Sequence, residues 1–237
     1  GNSFRQDKRN DIAPTRRNWM LSAPITIFYG VTISFAAFDL LMSLYPHWFS
    51  TIFGVYYFSA SLVGALAVIT IVAILLKKAG LISEWLTMDR FHDLGKLLFA
   101  FNVFWAYIAF SQYLLIWYAD LPEEIVFFTY RFDHGWEVVS MLLLVLHFIV
   151  PFVLLLSEAA KRNLNVLMAG AVILLVAHFI DMYWLVMPNY NHDEVVFGWM
   201  EIAPMLGLGG IFILTTALQF KRRNAVPIND PFLAEAK

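Results

Sequence analysis

Six long apolar runs restrict this chain more than any other feature. They cover roughly residues 24–45, 55–76, 97–118, 138–156, 167–186 and 195–220. A helix needs about 20 mostly apolar residues to cross the hydrocarbon core of a bilayer, and each run supplies that length. The runs are continuous, whereas strands of a membrane barrel would alternate with period two. In lipid, a spanning segment must satisfy its own backbone hydrogen bonds. The expectation is an all-α, polytopic membrane protein with six transmembrane helices. Composition agrees: 60% of the residues are hydrophobic and 14% charged, against about 45–50% and 25% in soluble proteins.

Charge alternates between the connections. One set carries Arg5, Lys8, Arg9, Arg16 and Arg17, then Lys77, Lys78, Arg90 and Lys96, then Lys161 and Arg162, then Lys221, Arg222 and Arg223. The other set has Arg131 alone beside Asp120, Glu123, Glu124, Asp133, Asp193 and Glu194. Basic loops remain in the cytoplasm, so both ends are expected there. The chain then divides into a cytoplasmic amino-terminal segment (1–21), a membrane domain of six spans (22–220) and a cytoplasmic tail (221–237). The polar first ten residues do not read as a signal peptide. The partner expected from composition is the lipid bilayer, with no nucleic acid.

The chain has no cysteine. That excludes c-type haem attachment, iron–sulphur ligation and thiolate metal sites within it. Trp48, Trp117, Trp136, Tyr183, Trp184, Tyr190 and Trp199 read as an outer interfacial belt, with Trp19 and Trp85 near the inner face. Residues 46–53 read as a short surface or re-entrant segment. Ala60 with Gly64, and Ser61 with Ala65, have the small-xxx-small spacing of close helix contacts, and Gly207, Gly209 and Gly210 thin the last span. Pro151 and Pro204 are each expected to kink a helix and free a backbone carbonyl.

An ionisable residue inside a membrane costs a few kcal/mol, so each one calls for a role. Six stand out as candidate proton-relay groups: Asp39, Glu137, His147, His178, Asp181 and Glu201. At ~1.5 Å rise per residue, both histidines fall near mid-depth and the acids in the outer half. His178 and Asp181 are three apart and share a helix stripe. Thr32 and Ser43 share the face of Asp39, Ser140 that of His147, and Thr215 and Gln219 that of Glu201. Structural hydrogen bonds between helices explain such residues. So does a proton pathway, since Asp, Glu and His chains build relays. A haem held between His147 and His178 is a third reading and a metal site a fourth, with no ligand set assigned to it. No residue is assigned a catalytic role. Asp93 reads as the N-cap of the third span, and His47 and His192 as solvated loop residues. His134 and Glu137 have the chemistry to meet a quinol head group.

Several strings carry a family resemblance: FDLLMSLYPHWFSTIFGVY at 38–56, HDLGKLLFAF at 92–101, FWAYIAFSQYLLIWY at 104–118 and DMYWL at 181–185. Together they resemble the ActF family of membrane proteins from bacterial alternative complex III, within the NrfD-like, polysulphide-reductase membrane-subunit superfamily. The likeness runs to about Pro188. It implies a four-helix bundle with flanking helices in a multi-pass protein of the bacterial cytoplasmic membrane. It implies a place in a respiratory quinol:electron-acceptor (cytochrome c) oxidoreductase, in electron transport and proton translocation. Iron–sulphur clusters and c-type haems would sit on partner subunits, with the homologous membrane protein ActC as the usual quinol site and a terminal oxidase as one acceptor. This chain would bind none of those cofactors, with a quinone its one possible ligand, and would not itself be the electron-transfer site. Asp39, His178 and Asp181 are the groups carried over. The family's chains are longer, with more spans, so this one resembles their carboxy-terminal part. The competing reading is a free-standing transporter or proton channel.

Overall fold

The computed structural model describes residues 13–82 and 86–222. Arg5, Lys8, Arg9, Trp85, Arg223 and the polar tail lie outside the described residues. Within them the chain is helical, with no strand: α1 (Ala13–Leu40), α2 (Phe53–Lys78), α3 (Met88–Ala119), α4 (Pro122–Thr129), α5 (Trp136–Leu143), α6 (Val150–Leu155), α7 (Glu158–Arg162), α8 (Leu164–Val186) and α9 (Trp199–Arg222). A π-turn over Leu144–Ile149 joins α5 to α6, so the two form one continuous rod. Six of these rods are long and apolar enough to cross a membrane.

Boundaries shift from the sequence reading in two places. α1 begins at Ala13 and carries Pro24 inside it, because the polar residues before the apolar run still favour helix. α3 begins at Met88, so Asp93 is not an N-cap. It lies in the second turn and pairs with Lys96 at 2.7 Å.

The chain forms two compact units. The larger comprises Gly30–Leu75 and Met88–Val196, and the smaller comprises Gly1–Tyr29, Leu76–Thr87 and Phe197–Lys237. In the smaller unit α9 has no buried residue, and a Cβ at Gly207, Gly209 or Gly210 would meet open space. Among the described residues, those glycines therefore serve no close approach.

The larger unit is a four-helix bundle of α2, α3, α5–α6 and α8. Its buried stripes repeat every three or four residues. α3 buries Phe91, Gly95, Leu98, Asn102, Trp105, Gln112 and Ile116. α8 buries Leu167, Gly170, Leu174, Ala177, Asp181 and Trp184. That spacing matches the seam of left-handed helix packing. Small residues set the approach: a Cβ on Gly170 would lie 3.0 Å from Leu155, and one on Gly95 3.0 Å from Lys161.

The two ends of this bundle differ in charge. At one end Arg162 of α7 bonds Asp89 at the start of α3 and Glu158 one turn back, at 2.7 and 2.8 Å. Those two carboxylates hold the guanidinium above its ordinary range, and the arginine holds Glu158 below its own. Lys161 bends inward and donates to the carbonyls of Leu155 and Leu156, both at 2.9 Å, capping the end of α6. The opposite end gathers the acidic connections around α4. There Trp48 is buried, stacks on Phe127 with centroids 4.0 Å apart and donates to the Glu124 carbonyl. Trp48, Trp136 and Trp184 thus belong to the core, while Trp117, Tyr190 and Trp199 are exposed.

Gly64 permits the approach of α2 to α8. A Cβ there would lie 3.0 Å from the His178 ring, so a Gly64→Val side chain must push α8 away. Overpacking of this kind costs about 1–3 kcal/mol. Equilibrium unfolding in a mild detergent should show that loss, and an unchanged midpoint would contradict the packing described.

Candidate functional site

The buried stripes of the bundle carry a band of polar side chains that runs from mid-length toward its acidic end. α2 contributes Tyr56, α3 contributes Asn102, Trp105 and Gln112, the π-turn contributes His147, and α8 contributes His178 and Asp181. Asp181 and His147 are fully buried, and Tyr56, Asn102 and Gln112 nearly so. The Tyr56 hydroxyl donates to Asp181 Oδ1. The Trp105 ring lies against His147, centroids 3.6 Å apart, and against Tyr56 at 5.9 Å. His178 faces α2 at Gly64. Four elements therefore converge on one polar cluster.

His147 owes its position to the proline that follows it. Pro151 has no N–H to bond the His147 carbonyl four residues back, and its ring clashes with that carbonyl. The backbone widens into the π-turn ending at Ile149. Single π-turns of this kind re-aim side chains and recur at functional sites.

Much of this cluster lacks conventional pairing. Among the described residues no hydrogen-bond partner reaches either nitrogen of His147, Nδ1 of His178, Oδ2 of Asp181, either amide atom of Asn102 or Nε2 of Gln112. An unmet buried polar group costs about 1–3 kcal/mol, and few occur in a folded protein.

Three of the six candidates from the sequence, His147, His178 and Asp181, meet here. The other three stand elsewhere. Asp39 is exposed near the end of α1, where its carbonyl accepts from Ser43. Glu137 is exposed and accepts the Gly135 N–H at 2.8 Å, satisfying the start of α5. Glu201, in the smaller unit, accepts the Gly198 N–H at 2.7 Å at the start of α9. Thr215 bonds the carbonyls of Ile211 and Phe212 in its own helix.

Tyr56, Asn102, Trp105 and Gln112 carry no charge at neutral pH, so a reading of intramembrane charge passes over them. Their signal lies in the periodicity: in α3, Asn102 and Gln112 fall on the same seven-residue repeat as Phe91, Leu98, Trp105 and Ile116.

Arg131 seals the acidic end of the site. Its guanidinium donates to the carbonyls of Phe127 (2.7 Å), Trp184 (3.2 Å) and Leu185 (3.0 Å), and lies 3.5 Å over the Phe127 ring. The last carbonyls of α8 are thus capped by a cation, which also suits the helix dipole. Burial pushes the Arg131 pKa down to about 9, which leaves the charge in place at neutral pH. Ser140 ties the same corner: it donates to the Arg131 carbonyl and accepts from the Trp184 indole, both at 2.7 Å.

Beside the cluster lies a cavity of about 670 Å³ with mainly aromatic walls. Tyr56, Trp105, Gln112, Glu137 and Ser140 supply its polar edges. Small-molecule sites have this character: apolar walls and a few placed polar groups.

No protein-family model matches this chain, and no curated protein shows a significant match to it.

The Tyr56–Asp181 bond gives a direct test. Tyr56→Phe keeps the ring and removes the donor, leaving the buried carboxyl without its partner. The expected loss is about 1–3 kcal/mol of stability in detergent unfolding. An unchanged stability would show that the pair contributes nothing to folding.

Proposed function

We propose that this chain is a membrane subunit of a quinol-oxidising respiratory complex of the alternative complex III type, acting as scaffold and proton path and holding no redox centre of its own. The buried cluster of Tyr56, His147, His178 and Asp181 carries the proton reading, because acids and imidazoles in a dry bundle are the material of proton relays. The family reading rests on the strings at 38–56, 92–101, 104–118 and 181–185. Three of these feed the cluster: Tyr56 closes the first, Trp105 and Gln112 lie in the third, and Asp181 opens the last. His147, His178 and Asn102 lie outside these strings.

In this reading the protein belongs to the bacterial cytoplasmic membrane and crosses it six times, with both ends inside. Quinol is oxidised on a homologous membrane partner, and electrons pass through iron–sulphur clusters and c-type haems on other subunits to a cytochrome c or terminal oxidase. The Asp181 carboxyl exchanges protons with the Tyr56 hydroxyl. The imidazoles of His178 and His147 continue the path across the bundle, with water bridging the open donors and acceptors. The aromatic cavity beside them has the shape and polarity for an isoprenoid quinone. A free-standing transporter or channel is the competing class, and it would use the same cluster.

Orientation is tested by labelling. Pro122→Cys and Ala159→Cys place exposed thiols at opposite ends of the bundle. An impermeant maleimide should label only position 122 in intact spheroplasts, and labelling of position 159 instead would invert the proposed orientation.

Function is tested in the assembled complex. Under mild detergent the chain should co-purify in constant ratio with iron–sulphur and multihaem subunits. In proteoliposomes, Asp181→Asn should leave quinol oxidation running and lower the protons released per electron. A colourless monomer from native membranes would sink the respiratory assignment, and an unchanged proton stoichiometry would end the relay.

A further inference from the structure

Outside the buried cluster, two histidines from distant parts of the chain meet on the surface. His134 lies in the turn between α4 and α5, and His192 follows the short helical turn Met187–Asn189 at the end of α8. Their rings are 5.1 Å apart. One ligand atom each from His134, His192 and Asp193 lie within 4.8 Å of one another. We infer that His134, His192 and Asp193 form a divalent transition-metal site, suited to zinc, that clamps these two loops together.

The donor set fits that ion. Zinc takes imidazole nitrogen and carboxylate oxygen at ~2.0–2.2 Å in tetrahedral geometry, and two histidines with one aspartate leave a fourth position for water. Tetrahedral bonds of that length put ligand atoms ~3.3–3.5 Å apart, so no separation here needs to close by more than about 1.5 Å. The side chains are at the surface and free to make that movement: His134 and Asp193 are exposed and His192 half-buried. Neighbouring acid favours a cation. Asp133 Oδ2 stands 3.6 Å from His134 Nε2, and Asp193 Oδ1 is 3.0 Å from His192 Nδ1.

The backbone beneath is fixed on both sides. His134 adopts a left-handed conformation, φ 51°, and Gly135 follows at φ 93°. For a residue other than glycine that conformation costs about 1–3 kcal/mol, held by its surroundings. Asp133 Oδ1 accepts the His134 N–H at 2.8 Å, and Glu137 accepts that of Gly135. The fully buried Trp136 donates its indole N–H to the Asn191 carbonyl at 3.1 Å, locking the two loops side by side. Tyr130 packs on His192 with ring centroids 4.1 Å apart. Two imidazoles are therefore presented by a preorganised frame, and this inference stands independently of the proton path.

The test is calorimetric titration of zinc(II) into the chelator-treated, purified protein in detergent. One equivalent should bind per chain. His134→Gln and His192→Gln should each weaken binding at least tenfold, as loss of a metal ligand or its support does. Zinc should raise the thermal midpoint of the wild type by mass action and leave that of the double variant unmoved. Absence of saturable binding by the wild type would overturn the site, whatever the variants do. So would zinc affinity in the double variant within twofold of wild type.

Discussion

The polar centre of this protein depends on the helix seams around it. A bilayer offers no water to a backbone or a side chain, so every spanning segment must be helical and every interior polar group must face another helix. The α3 and α8 stripes satisfy that demand with a repeat of three and four residues, which keeps one face of each helix inward over its whole length. Leu, Ala and Gly fill much of that face toward the basic end. Further toward the acidic end the same face presents Asn102, Trp105, His178 and Asp181, and α2 brings Tyr56 and Gly64 against them. Without the small residues the helices would stand too far apart for the Tyr56 hydroxyl to reach Asp181.

The ends of the bundle are closed by cations of two kinds. Lys161 folds back onto the carbonyls of Leu155 and Leu156, and Arg131 onto those of Phe127, Trp184 and Leu185. Helix ends leave carbonyls without intrahelical partners, and in an apolar bundle those carbonyls are costly. A buried arginine suits the task because its rigid fork serves several acceptors at once. The same contacts fix the α4–α5 connection on which the His134–His192 pair is presented.

Polar residues in this bundle therefore divide by how well they are met. Arg131, Lys161, Ser140 and Trp184 each bond neighbouring groups, and their work is architectural. His147, His178, Asn102 and one oxygen of Asp181 have open positions. Fully paired groups hold a fixed geometry, whereas a buried group with an open donor or acceptor carries a cost that packing alone does not remove.

Hydropathy and charge in the sequence determined the six apolar rods and the separation of basic from acidic connections, because length and solvation are local properties. Spacing alone also placed His178 beside Asp181, since residues three apart on a helix must be neighbours. Pro151 announced a disturbance near His147 for an equally local reason. The tertiary structure decided the rest. It drew Tyr56, Trp105 and His147 to Asp181 from three other elements and left Asp39, Glu137 and Glu201 outside the cluster, the two glutamates holding helix starts. It moved Trp48, Trp136 and Trp184 from an expected surface belt into the core, and it turned Arg131 from a lone outer charge into a buried cap. It also brought His134 to His192. Each of these outcomes depends on which faces of different helices meet, and that is set by packing between segments far apart in the chain, which no local pattern encodes.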